Sequence, residues 1–322
     1  MMREVLLALV PGIAAATAFF GIGVLVNLTL AAAAAVGSEA LMLRLRRRPV
    51  GLFLGDYSAL VTAALLALAL PPLIPWWVTA LGAAFAIVFG KHLYGGLGYN
   101  PFNPAMVGYV VLLISFPKEM TLWQAPAGVA DGPVPALAAM TRIFTGHFPA
   151  GMSVDAISMA TPLDAVKTQL GMARTLPEIQ AGPLFGALAG RGWQWINLLF
   201  LGGGLWLLGR RIIGWRIPVG LLGGLAVVAF VFWASDPDLH PGPLFYLLSG
   251  GTMLGAFFIA TDPVSAATTP RGRLIYGLGI GVLIYVIRAW GGYPDGIAFA
   301  VLLMNMAAPL IDSYTAPRVF GG

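Results

Sequence analysis

The sequence contains no cysteine. That excludes disulfides, thiolate-ligated iron–sulfur clusters and cysteine nucleophiles. Charge is scarce as well. Only 10% of the 322 residues are Asp, Glu, Lys or Arg, against about 25% in a soluble domain. Histidine is limited to His92, His147 and His240, spread far along the chain, which argues against a bis-histidine haem and against a metal site. No glycine-rich loop stands between a strand and a helix, so neither a dinucleotide fold nor a P-loop has support. Basic residues are too few and scattered for a nucleic-acid surface. No cleavable signal peptide precedes a polar mature region, because the first apolar block runs straight into a second.

What fills the chain is apolar sequence, 59% of it hydrophobic. It falls into long blocks, which predicts an all-α polytopic membrane protein in contact with membrane lipid. Val5 to Leu43 is too long for one span and fits two, turning near Phe20–Gly23. Arg44, Arg46, Arg47 and Arg48 follow at once and place that loop, and hence the amino terminus, in the cytoplasm. Further spans are predicted over 57–70, 76–89, 105–116, 193–208, 217–234, 244–260, 274–290 and 297–311. Pro71, Pro72 and Pro75 end the third span, and Trp76 and Trp77 anchor the fourth at an interface. Ten spans put Lys91 and His92, Arg210, Arg211 and Arg216, Arg271 and Arg273, and Arg318 all on the cytoplasmic side. Both termini are then cytoplasmic, and the polar interval 117–191 lies outside the cytoplasm.

The segment Gly95–Pro104 carries three glycines and two prolines beside apolar sequence. Irregular backbone of that kind at membrane depth is tolerated only inside protein or along a cavity. The halves also echo each other. Pro104–Ile114 resembles Pro294–Met304, and Gly55–Ser58 with its apolar tail resembles Gly250–Met253 with its own. Five spans per half is an odd number, so the second half is inverted relative to the first. Inverted repeats place functional sites near the midplane, between broken helices. The expected divisions are a first membrane half over 1–116, the loop over 117–191 and a second membrane half over 192–322. Gly220/Gly224, Gly251/Gly255 and Gly277/Gly281 have the spacing of close helix contacts rather than of nucleotide loops.

Within the loop, Asp155-Ala156-Ile157-Ser158-Met159-Ala160-Thr161 stands out among turn-forming neighbours. The pattern D-x-x-S-x-A-T resembles the flavinylation motif of bacterial respiratory proteins. There a dedicated flavin transferase esterifies the terminal threonine to the phosphate of FMN. Asp155, Ser158, Ala160 and Thr161 fill the defining places, and Met159 stands where glycine is common. The plain alternative is that Asp155 and Ser158 cap a short helix and Thr161 is an ordinary loop residue.

A wider set of segments carries a second resemblance: Lys91–Met106, the D-x-x-S-x-A-T stretch, Thr252–Phe258 with Thr261–Val264, and Gly291–Gly296. Together they resemble the RnfD (RsxD) family, a membrane component of the Rnf (Rsx) ion-translocating electron-transport complex. More distantly they are similar to the corresponding membrane component of the sodium-pumping NADH:quinone oxidoreductase. The resemblance implies a bacterial inner-membrane component of a redox-driven pump. In such a pump, electrons pass between ferredoxin and NAD while Na+ or H+ crosses the membrane. It implies covalent FMN on Thr161, a second, non-covalent flavin such as riboflavin, and partners in the other Rnf subunits and the flavin transferase. It also implies a protein that is not catalytic alone. Family members carry a polar segment before the first span, whereas this chain begins almost inside it, leaving room for an upstream start.

Two further residues compete for a role. Thr252, in Ser249-Gly250-Gly251-Thr252, lacks the aspartate and alanine of the motif and lies in an apolar span that a soluble transferase does not reach. Asp262 is a carboxylate beside a span, hence either an ion-path residue or a helix cap at the membrane edge. Asp56 and Asp312, at span ends, read as interfacial. A small-solute channel built on a five-plus-five inverted repeat is the rival function. Thr161 separates the two readings, since a channel has no use for an outer flavinylation motif.

Overall fold

Apolar blocks without water must satisfy their own backbone groups, and here they do so as helices. The computed structural model describes residues 1–129, 133–293 and 295–316, with Asp155 and Ala156 described by backbone alone. Arg318 and Pro294 of the turn at 293–296 lie outside the described residues, and so does the side chain of Asp155. The first half comprises α1 (Met2–Phe20), α2 (Gly23–Leu45), α3 (Val50–Leu54), α4 (Ser58–Ala69), α5 (Trp76–Phe85) and α6 (Pro104–Ser115), with a π-helical turn at Ala86–His92 extending α5. The loop folds as short helices: α7 (Pro117–Thr121), α8 (Ala136–Thr145), α9 (Val154–Ile157), α10 (Pro162–Gly171) and α11 (Leu176–Gln180). The second half comprises α12 (Trp193–Gly209), α13 (Arg216–Ser235), α14 (Pro243–Leu247), α15 (Thr252–Leu254) with a π-helical turn at Gly255–Ile259, α16 (Pro270–Trp290) and α17 (Ile297–Thr315). No strand occurs among the described residues, only isolated bridges such as Gln124–Ser158.

The protein is thus an all-α polytopic membrane protein. Helices α1, α2, α13, α16 and α17 are each long and apolar enough to cross a membrane. The remaining apolar stretches are shorter or broken. The eighth predicted span is α14, a bend and α15 with its π turn, rather than one helix.

Packing follows a two-fold pattern. In the first half α2 packs on α4 and α5, and α5 on α6; in the second α13 packs on α14 and α16, and α16 on α17. Across the halves, α1 meets α12 and α6 meets α17. Glycine makes the tightest contact possible. A Cβ at Gly220 would come within 2.7 Å of the Leu274 carbonyl oxygen, and one at Gly224 within 2.7 Å of that of Leu278. This is the small-residue packing expected of helices that gain nothing from hiding apolar surface in lipid.

Two clefts between the halves

Thr161 ends an extended strap and begins a helix. After the turn of α9, the Ser158 amide donates to Val154 O at 2.8 Å. The strap then pairs with residues 123–125: Met159 N donates to Trp123 O at 2.8 Å, and Ala125 N to Ile157 O at 3.2 Å. Gln124 is buried and donates from Nε2 to the Phe20 carbonyl, tying the strap to the end of α1. Thr161 has extended backbone, and its Oγ1 accepts from Asp164 N at 3.2 Å, with Pro162 in the first helical position. The helix cap of this stretch is therefore Thr161 itself, half-buried, next to exposed Ala160.

Thr161 and Asp164 stand at the edge of a cleft of about 1010 Å³, open mouth included. Met106 and Tyr109 of α6 line one wall, Trp193 of α12 and Ile297 of α17 another, and Trp123 comes from the strap's partner. Trp123 and Trp193 pack with ring centroids 5.0 Å apart. Gly250 and Gly251, at the break between α14 and α15, also line it. Gly250 has φ +57°, and a Cβ there would crowd Leu163 Cδ1 at 2.9 Å and Arg288 Nη2 at 3.0 Å.

A break in a buried helix frees backbone groups, and the side chains of Arg288, Asp295, Asn197 and Thr252 satisfy them. Arg288 is 4% exposed. It donates from Nη1 to Tyr246 O at 2.9 Å and from Nη2 to Thr252 Oγ1 at 2.9 Å and Asp295 Oδ1 at 3.0 Å. Asp295 Oδ2 accepts from Gly251 N at 2.9 Å. Asn197 donates to the carbonyls of Leu248 and Gly250 and accepts from Met253 N at 3.0 Å. Sequence reading missed this clamp. The available signal was Arg288, a charge inside an apolar span.

Burial shapes the charges beside Thr161. It raises the Asp164 carboxyl above the usual range, opposed in part by Lys167. It lowers the Lys167 ammonium, opposed in part by Asp164. Both groups are pushed toward neutrality, so desolvation outweighs their mutual attraction. Lys167 donates to the carbonyls of Ile287, Gly291 and Tyr293, joining α10 to the end of α16.

A second cleft, about 810 Å³, opens on the opposite face and is lined by Lys91, Asn100, Asn103, Thr261 and Asp262. Asp262 accepts from Val264 N and Ser265 Oγ, both at 3.0 Å, so it caps its loop and lines the cleft at once. Asn100 Oδ1 is buried without a hydrogen-bond partner. Asn103 ties the halves together: its amide donates to Asn305 Oδ1 at 3.0 Å and its Nδ2 to Ile259 O at 3.2 Å. Lys91 and His92, expected at the water face, are instead each 2% exposed. The reason is Glu39 of α2, whose carboxylate meets Lys91 Nζ at 2.6 Å and 2.8 Å, with Ser58 Oγ accepting a third bond at 2.7 Å. Asp56 and Asp312 cap turns, toward Ser58 and Thr268–Thr269 respectively. Among the described residues no group of histidines and carboxylates could hold a metal ion.

Residues 1–321 match the NQR2, RnfD, RnfE family. Among curated relatives, the chain is similar to the component designated D of the ion-translocating oxidoreductase complex in several bacteria. It is 56% identical over 326 residues to that of Shewanella denitrificans, covering 100% of this chain and 93% of that one. It is 57% identical over 324 residues to that of Ectopseudomonas mendocina, covering 100% and 91%. With that of Vibrio cholerae it shares 54% identity over 328 residues, covering 100% and 94%.

Proposed function

The chain belongs to the NQR2, RnfD, RnfE family, and on that premise we propose that it is the membrane flavoprotein component of a redox-driven ion pump, with FMN held as a phosphoester on Thr161. It works as one subunit of an ion-translocating oxidoreductase complex, as its relatives' names state for them, and takes its electrons through the other subunits. The reading places the chain in a bacterial inner membrane with both termini cytoplasmic and residues 117–191 periplasmic. Electrons pass between ferredoxin and NAD in the complex, coupled to Na+ or H+ movement.

The observation that carries the proposal is the position of Thr161, half-buried on the lining of a cleft walled by both halves and the loop. The residues present fit the group. Thr161 caps a ten-residue helix, so an anion on its oxygen sits at the end of the helix where the dipole favours negative charge. Tyr109, Trp123, Trp193 and Ile297 offer an apolar and aromatic lining that suits a flat ring and keeps water away. The flavin supplies one- and two-electron redox chemistry; the chain positions it. Thr252 is no rival acceptor. It is fully buried, and its hydroxyl is committed to Arg288 and to the carbonyls of Tyr246 and Ser249.

The second cleft, with the free acceptor of Asn100 and the carboxylate of Asp262, is the proposed place for a second, non-covalent flavin and for the start of the ion path. The test of the main proposal is covalent retention. Protein made alongside a flavin transferase should fluoresce on a denaturing gel, and the peptide containing Thr161 should carry the mass of FMN less water. Thr161→Ala should lose both, and Thr252→Ala neither. Release of all flavin on denaturation sinks the proposal.

A further inference from the structure

One loop helix has a face that the protein leaves bare. Helix α8 packs on α2 and buries Ala138, Ala139 and Ile143. On its other side Leu137 is 78% exposed, Met140 45% and Phe144 49%. These three lie at i, i+3 and i+7, one stripe of a helix. The stripe makes no demand for water. No Asp or Glu occurs in Ala136–Thr145. The hydroxyls of Thr141 and Thr145 donate back to the helix, to Leu137 O at 2.9 Å and Thr141 O at 2.7 Å. The one charge, Arg142, turns to the Gly146 carbonyl and stacks 5.6 Å from the Phe148 ring centroid.

The level of α8 follows from its contacts. Trp76 and Trp77, 43% and 41% exposed at the start of α5, mark a membrane–water boundary. The Pro71–Pro72 carbonyls just before them accept from Asn27 of α2 at 3.0 Å and 3.3 Å. A Cβ on Gly21, at the turn between α1 and α2, would meet Pro133 Cβ at 3.2 Å and Val134 O at 3.7 Å. The turn at Gly21, the segment at Pro72 and the lead-in to α8 therefore share one level. Exposed Ile22 and Leu25 at this end of α2 continue the apolar surface.

We propose that α8 lies in the headgroup layer of the membrane on the face bearing residues 117–191, with Leu137, Met140 and Phe144 against phospholipid. The helix thereby braces the strap region against the bilayer instead of leaving it free in water. The proposal stands whether or not Thr161 carries a flavin.

Photo-cross-linking in membranes containing the assembled complex tests it. A benzophenone amino acid is placed singly at Leu137, Met140 and Phe144, with Trp77 as the membrane reference and exposed Thr168 of α10 as the aqueous one. All three positions should yield phospholipid adducts close to the level at Trp77 and several-fold above that at Thr168. A cross-link to another polypeptide from this stripe would show that a protein partner covers it and would overturn the proposal. So would adduct yields no higher than at Thr168.

Discussion

Thr161 caps a helix with its hydroxyl while the residue stays half-buried on the lining of the first cleft. Its neighbour Asp164 carries a consequence for pH. Burial raises its folded-state pKa above the value it has in the unfolded chain, so the folded protein holds the proton more tightly. Stability from this group is then lost as pH rises from the ordinary carboxylate range through the folded value, and stays level above it. Asp164→Asn should be at least as stable as the parent at pH 7.5, and the difference should shrink on acidification, as followed by thermal unfolding in detergent. On the opposite face, Asp262→Asn should slow ion transport by reconstituted complex while leaving the flavin that survives denaturation unchanged; unchanged transport would leave Asp262 as a loop cap alone. Thr161 could be singled out as a candidate in the sequence because its motif is contiguous. The Lys91–Glu39 pair was not, because its members are fifty-two positions apart and nothing in apolar flanks announces which helix faces which.

At the scale of elements, the sequence showed where helices must stop more readily than how they bend. Prolines and glycines at 71–75 and 95–104 forecast irregular backbone, and the turn at Phe20–Gly23 is found as a break at Gly21 and Ile22. The π turns at Ala86–His92 and Gly255–Ile259 were invisible, since a change from i+4 to i+5 bonding leaves the apolar pattern untouched. The bend at Ser249–Gly251 is held by Arg288, Asp295 and Asn197, brought together from three helices or their ends. Arg288→Ala should leave the Asp295 carboxylate without its ionic partner and remove one of the two donors to the Tyr246 carbonyl, which keeps only the Thr252 hydroxyl. A loss of about 3–5 kcal/mol is expected, as for other buried pairs broken on one side. Arg288→Lys keeps the charge but cannot reach all its partners at once, and should fall between. Thermal unfolding of the purified protein measures both.

For the whole molecule, the charge distribution makes the strongest claim. If the basic loops at 44–48 and 210–216 are cytoplasmic, a reporter active only after export should work when fused after Thr161, and one active only in the cytoplasm should work after Arg211. The reverse pair of results would invert the arrangement. The packing of α1 on α12 and of α6 on α17 is what exchange of two like halves predicts, and the weak echoes between Pro104–Ile114 and Pro294–Met304 pointed there.

The strap that presents Thr161 has a consequence for biosynthesis. Its partners, Phe20 through Gln124 and residues 123–125, all precede it in the chain and so emerge from the ribosome first. The far walls of its cleft, Gly250, Asp295 and Ile297, emerge much later. The Thr161 hydroxyl is therefore made before the cavity behind it has been completed, so on the proposed function its modification and the closure of that cavity can be separate events.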